Sequence, residues 1–464
     1  MTSGYKILVI AVSLFIACSS SNLREETPLL KVSDNNRFIV TEDGKPFFWM
    51  GDTGWLLFKK LDREEAEQYL EDRKNKGFNV IQVMVLHDID DAVNTYGDSA
   101  FIHKDISQPK TTVGNAYDRE DEYDFWDHVD FMIDLAAKKG IYIALVPIWG
   151  SNTRSEHITL ERVKKYGTWM AERFRDRKNI IWVNGGDIKG SDATDIWQLL
   201  GNTLKNRDPN HLITFHPFGR TQSSMWFHNE AWLDFNMFQS GHRRYDQDDT
   251  ELHYGEDNWR YVEADYNLKP IKPTLDGEPS YEGIPQGLHD TTQPYWTDAD
   301  VRRYAYWSVF AGGFGFTYGH NAIMQFYNAK DTTVAYGAKI FWQEALNAPG
   351  AGQMKYLKEL MLSHSFPDRT PDQSLIAGNQ GDKYNYLPAA RGNDYAFIYT
   401  YTGRNMSVAM GKISGEQIKA SWFSPRDGSR QEIGIFENSG HLEFNPPGEE
   451  REGNDWVLIL ESIE

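Results

Sequence analysis

Between Phe47 and Tyr318 the chain alternates repeatedly between a short apolar run and a longer stretch of helical periodicity, and few architectures accept that rhythm. The runs are Phe47–Met50, Phe78–Leu86, Ile141–Ile148, Ile180–Asn184, Leu212–His216, Leu233–Phe238, Pro273–Asp276 and Gly313–Tyr318. Most are near-continuous apolar runs, as expected for parallel strands buried on both faces. Among the intervening stretches, Asp62–Lys76 opens on a capping Asp with an acidic first turn and stops before Gly77. Phe125–Lys139 sets Trp126, Val129, Ile133 and Ala136 on one stripe and ends at Gly140. Leu160–Asp176, Thr194–Arg207, Asp298–Phe310 and Gly352–Leu362 fit the same pattern, and Asp257–Asn267 follows it more weakly. Eight strands, each followed by a crossover, predict an α/β fold, a (β/α)8 TIM barrel. A hairpin at Arg37–Val40, turning at Asp43-Gly44, is expected to cover the barrel's bottom.

From about Pro367 helical periodicity stops. Short β-rich runs follow at Tyr395–Tyr401, Ser407–Met410, Ile418–Phe423, Gln431–Phe436 and Trp456–Ile459, with turn residues such as Asp427-Gly428 beside them. Residues 28–366 are thus expected to form the barrel and 367–464 a small antiparallel β-sandwich without chemistry of its own. At the other end, Lys6 precedes the apolar run Ile7–Ala17, which is too short for a stable membrane span. Ala17-Cys18 at its end resembles a bacterial lipoprotein processing site, although Phe15 stands where Leu is usual. Cys18 is the only cysteine, so the chain can form no internal disulfide and has no thiol metal site. The expectation is a signal over 1–18, lipid attachment at Cys18, a polar tether over 19–27, and an exported protein anchored to a membrane of the bacterial envelope. A net charge of −19 repels phosphate backbones and argues against nucleic acid as a partner.

In a barrel of this kind, chemistry sits where strands end and the following loops begin. The proposed strand ends carry Asp52 and Trp55, His87, Trp149, Asn184 and Asp187, His216, and His242. The seventh adds Glu278, Tyr281 and Glu282, and the eighth Tyr318 and His320. Carboxylates, imidazoles and aromatic faces in one ring suit a polyhydroxylated substrate, an oligo- or polysaccharide. Glycosidic cleavage needs one carboxylic acid to protonate the leaving oxygen and one carboxylate to attack or to activate water. Asp187 after the fourth strand and Glu278 after the seventh face one another across such a mouth and are the expected catalytic pair. Glu282 competes with Glu278 but lies farther from its strand.

Duller roles compete with these. Asp52 can cap a helix, Asp187 can bind a loop amide, and a lone histidine is usually structural. Arg243 and Arg244, next to His242, can either bind an acidic sugar or pair with Asp246, Asp248 or Asp249. A catalytic metal is not expected, because the first strand lacks the paired histidines of metal-dependent hydrolase barrels, and no cofactor fingerprint occurs. A non-catalytic glycan-binding lipoprotein is the main rival function, and a transglycosylase or lyase on the same barrel is a third. A binder has no need of two carboxylates at strands four and seven.

Three barrel segments carry a resemblance. They are Asp43 to Trp55 (DGKPFFWMGDTGW), Trp182 to Asp187 (WVNGGD) and Gly277 to Gly283 (GEPSYEG), joined in the second unit by Trp422 to Gly428 (WFSPRDG). With these, nearly the whole mature chain resembles glycoside hydrolase family 140, the apiosidase-like barrels with an appended β-sandwich. The resemblance implies hydrolysis of a β-linked apiose or similar sugar within a pectic side chain. The fourth/seventh placement is also similar to that of the large retaining glycosidase clan, whose acid follows an Asn after strand four. Here Asn184 precedes the acid by three positions and the acid is Asp, not Glu, which bears on its reach and on the stereochemical outcome.

Overall fold

The computed structural model describes Met1, residues 27–119 and residues 121–463. The proposed signal, Cys18 and most of the tether lie outside these. Each of the eight apolar runs overlaps a strand of one sheet: β1 Trp49–Thr53, β2 Val80–Met84, β3 Tyr142–Val146, β4 Ile180–Ile188, β5 Ile213–Pro217, β6 Asn236–Gln239, β7 Thr274–Asp276 and β8 Gly315–Tyr318. They are parallel, in the order β5-β4-β3-β2-β1-β8-β7-β6, so the chain's first and last barrel strands are neighbours. The remaining seam is closed between β5 and β6, where Asp234 N–H donates to Ile213 O and Thr214 Oγ1 to Phe235 O, both at 2.8 Å. A two-residue strand, Thr221–Gln222, pairs antiparallel with the end of β6.

The helices are α1 Arg63–Asn75, α2 Phe125–Lys138, α3 Leu160–Phe174, α4 Thr194–Arg207, α5 Trp259–Tyr266, α6 Asp298–Phe310 and α7 Pro349–Leu362. After β5 the crossover shrinks to one turn, Ser224–Phe227. Local chemistry sets the starts. Asp62 accepts from Glu65 N–H while Glu65 reaches back to Asp62 N–H, and Asp124 and Asp127 do the same ahead of α2. The faces of α2 to α4 turned inward pack with the outward side chains of the strands, among them Trp126, Met170, Trp197, Ile143 and Leu145. The hairpin forms from Ile39–Thr41 and Pro46–Phe47 with Leu30–Val32 as a third strand, and Phe47 meets Tyr142 at the start of β3, the lower rim.

The second unit is antiparallel: β9 Thr370–Pro371, β10 Ala389–Arg391, β11 Tyr395–Thr400, β12 Met406–Ala409, β13 Gln417–Phe423, β14 Arg430–Glu437, β15 His441–Phe444 and β16 Trp456–Ile463. One sheet runs β9-β10-β11-β16-β13-β14 and β12 pairs with β15 as the second, around a core that includes Ile398, Val408, Ile418 and Leu458. β9, β10 and β15 were not among the expected strands. β15 is mostly exposed and polar, so it has no apolar signature to read. The unit docks on α6 through stacked Tyr306 and Tyr399, and through Arg302, which grips Asp455 with two nitrogens at 2.8 and 3.0 Å.

Candidate active site

A cavity of about 940 Å³ opens at the C-terminal ends of the barrel strands, and Asp187 and Glu278 both line it. Glu278 follows β7 by two residues and is nearly buried. Its Oε1 is 3.0 Å from His242 Nε2 and its Oε2 is 3.0 Å from His216 Nε2. The His216 ring is set by a contact on its other side: Nδ1 accepts the Asp187 backbone N–H at 3.3 Å, which leaves the ring proton on Nε2, facing Glu278. The His242 contact is an aligned hydrogen bond, whereas the His216 contact is not, so Oε2 retains a lone pair without an aligned donor. Burial on its own would raise the Glu278 pKa. The two imidazoles outweigh it and hold the carboxyl at about 2.

Asp187 is presented by a bulge. The β4–β5 register shifts between Gly185 and Ile188, and Gly185, Gly186 and Asp187 all have positive φ (84°, 114° and 47°). Gly186 is required twice over, because a Cβ there would stand 2.4 Å from the Trp149 ring as well as in a backbone region that disfavours side chains. The bulge is why the carboxylate is exposed at the cavity. Its pKa is raised, first by the protein crowding around it and then by the negative charge of Glu278, with His216, His242 and the Gly219 amide opposing. Two carboxyls in one cavity are therefore pushed apart, one toward the acid and one toward the carboxylate.

The cavity's aromatic wall is Trp55 and Trp149, 5.1 Å apart and both packed on His216. His87 lines the rim, and its pKa is lowered by burial and by Lys59. Two further residues were missed by the reading of strand ends. Phe218, directly after β5, is 41% exposed and lines the cavity, an open apolar ring beside the acid. Tyr336 lies in the long loop after β8 with φ 51°, its carbonyl held by Asn321 Nδ2 at 2.8 Å. Its phenol pKa is raised by burial and then by Glu278 and Asp187. Phe218 could have been flagged as a bulky ring one residue past a strand; nothing local marks Tyr336.

Several expected contacts are corrected. Asp52 is fully buried and bound to Arg73 Nε at 2.5 Å and Tyr69 Oη at 2.7 Å, so it holds α1 to β1 instead of touching the cavity. Asn184 donates to Trp197 O at 2.8 Å, beneath the bulge. His216 reaches Glu278 from behind and is itself sealed from the cavity. Tyr281 packs edge-on to His242 and flat against Gly319. Glu282 accepts from Tyr318 Oη (2.7 Å) and Gly350 N–H (3.1 Å) at the start of α7, outside the cavity, and burial lifts its pKa to about 7. Tyr318 is committed to that bond, and His320 caps a short helix by accepting Ala322 N–H. Of the two arginines, Arg243 lines the cavity while bonded to Asp249, and Arg244 turns away to grip Asp246 with two nitrogens at 2.9 and 3.1 Å.

The family model described as "Apiosidase-like, catalytic domain" matches residues 33–368, and one described as "Putative collagen-binding domain of a collagenase" matches residues 370–461. A solved structure described as a glycoside hydrolase is 49% identical, covers 94% of this chain and 97% of its own, and superposes with a TM-score of 0.87. A glycoside hydrolase family 5 structure from Bacteroides vulgatus is 46% identical over 94% of this chain and 93% of its own, with a TM-score of 0.88. No curated protein matches the chain.

Proposed function

The chain belongs to the apiosidase-like family of glycoside hydrolases, and on that premise we propose that it cleaves a β-linked apiosyl or similar residue in a pectic side chain, with retention of configuration. Asp187 is the acid/base and Glu278 the nucleophile. The Glu278 carboxylate attacks the anomeric carbon while Asp187 gives its proton to the departing glycosidic oxygen, leaving a glycosyl ester on Glu278. Asp187, now ionised, takes a proton from water, which opens the ester and releases the sugar. The observation that carries the reading is the opposed environment of the pair: Glu278 held ionised between His242 and His216, Asp187 shifted toward its protonated form in the same cavity. Retention requires the two carboxyl groups about 5–5.5 Å apart, and Asp187, one methylene shorter than Glu, is carried to the cavity by the bulge.

Incubating the protein with a panel of pectic oligosaccharides, and identifying the released fragment, tests the substrate. Proton NMR of the first-formed anomer tests the stereochemistry: an inverted product refutes the nucleophile role of Glu278, and no cleavage of any pectic fragment refutes the substrate class. We place the enzyme outside the cytoplasm, tethered through acyl chains on Cys18. Cys18→Ser should then leave the membrane fraction with unchanged specific activity, and a variant that still sediments with membranes contradicts the anchor.

A further inference from the structure

The loop after β6, residues 240–258, brings His242 to Glu278 and Arg243 to the cavity wall. Its two ends are tied to Asp276, the last residue of β7: Ser240 Oγ and Asn258 Nδ2 both donate to Oδ2, at 2.5 and 2.9 Å. His242 has its own support, since its carbonyl accepts from Gly287 N–H (2.7 Å) and Trp296 Nε1 (3.3 Å). The stretch between, Arg243 to Asp257, is supported differently. Glu256 is 1% exposed and accepts from Tyr245 N–H at 3.2 Å and from Arg303 of α6 at 2.7 Å. Its remaining donor is the Tyr384 hydroxyl, 3.0 and 3.1 Å from the two carboxylate oxygens.

Tyr384 belongs to the second unit, in the turn between β9 and β10. That turn is pinned from its own side by Arg404, which donates to Asn385 O and Asn379 O at 2.8 Å each. The Tyr384 ring packs 5.7 Å from Tyr245, and Lys383 Nζ lies 5.2 Å from the same Tyr245 ring. Neighbouring aromatics on this face are also spent on the barrel: Tyr386 stacks on Trp259 of α5 at 4.2 Å and Tyr399 on Tyr306 at 4.9 Å. A glycan-binding face needs aromatic rings open to solvent, and these are covered.

We propose that the C-terminal unit acts as a positioning device for the active site, with Tyr384 fixing the outer β6 loop, and so Arg243, through Glu256 and Tyr245. A buried carboxylate must keep its donors, so it can lock a loop only while all of them are present. Removing the one that comes from the second unit loosens the outer loop while His242 stays held by Gly287 and Trp296. The consequence is weaker substrate binding with near-normal chemistry.

The test is Tyr384→Phe in the full-length protein, which keeps the ring contacts and removes the hydroxyl. Hydrogen–deuterium exchange should quicken in residues 243–257, by about three- to tenfold as for a lost hydrogen bond of ordinary net worth, with β1 to β8 unchanged. KM should rise by a similar factor, roughly three- to tenfold, while kcat stays within about twofold. Glu256→Gln should act in the same direction, and the double variant should fall well short of the product of the two single effects. Unchanged exchange in 243–257 overturns the proposal. So does acceleration spread over the whole barrel, which would make Tyr384 merely part of the fold, and so does a loss confined to kcat. The kinetic arm rests on the glycosidase reading and the exchange arm does not, so a wild type inactive on every pectic fragment, with exchange altered as described, would sink that reading alone.

Discussion

Replacing His242 with Phe removes a hydrogen-bond donor from Glu278 Oε1 while keeping a ring against Tyr281, which His242 meets edge-on at 4.8 Å. Glu278 is held at about 2 because two imidazoles outweigh the burial that would otherwise raise it. A hydrogen bond to a charged group is worth ~1.5–3 kcal/mol, and each ~1.36 kcal/mol corresponds to one pH unit in a titration. The acid limb of kcat/KM, where the nucleophile becomes protonated, should therefore move up by ~1–2 pH units in the variant. The direction follows from the sign of the shift: a carboxylate depressed below its ordinary value keeps its charge to lower pH, and losing a donor returns protonation to higher pH. The alkaline limb reports Asp187 losing the proton it must donate. His242 also lowers the Asp187 pKa, so that limb should stay in place or move up, never down. The assay is kcat/KM from pH 2 to 8 on the pectic oligosaccharide that wild type cleaves, with circular dichroism at each pH to confirm the fold. An acid limb that stays put, with an equal fractional loss at every pH, refutes the electrostatic role and leaves His242 as packing.

Asp187→Ala and Glu278→Ala should each lose about 10²-fold or more in kcat with normal folding, whereas Glu282→Ala should keep its activity and lose ~1–3 kcal/mol of stability from the unpaired Tyr318 hydroxyl and Gly350 amide. Inactive Glu282→Ala with wild-type stability would reverse that assignment. Asp52→Asn should cost about 1.5–3 kcal/mol in urea denaturation, because it takes the buried carboxylate from Arg73, which keeps only its pair with Asp72 at 2.7 Å, and a loss under about 1 kcal/mol would contradict the buried pair. Arg243→Gln should raise KM for an acidic oligosaccharide and leave a neutral aryl glycoside unaffected; equal losses on both would assign the Arg243–Asp249 pair to loop structure alone.

The sequence by itself determined the architecture, because the forces that set it are local and periodic. A barrel strand covered on both faces has to be apolar at nearly every position, and β3, buried throughout, announces itself as an unbroken run. Helix starts such as Asp62-x-x-Glu65 write their own hydrogen bonds within four residues. The same logic reached Asp187 and Glu278, since a strand end is a position in sequence as well as in space. Which strand-end polar groups face the cavity was decided only by tertiary closure. Asp52 and Asp187 stand at equivalent places in their strands, yet Asp52 meets an arginine twenty-one residues onward and Asp187 is thrust into the mouth by a two-glycine bulge. Glu278 and Glu282 differ by one turn of loop, and the donors that separate them, His216 and His242 against Tyr318 and Gly350, come from other strands and helices. Tyr336 and Tyr384 reach the site or its supporting loop from distant chain segments. Burial turns such long-range pairings into large electrostatic differences, and no local pattern of residues encodes which partner a buried charge will meet.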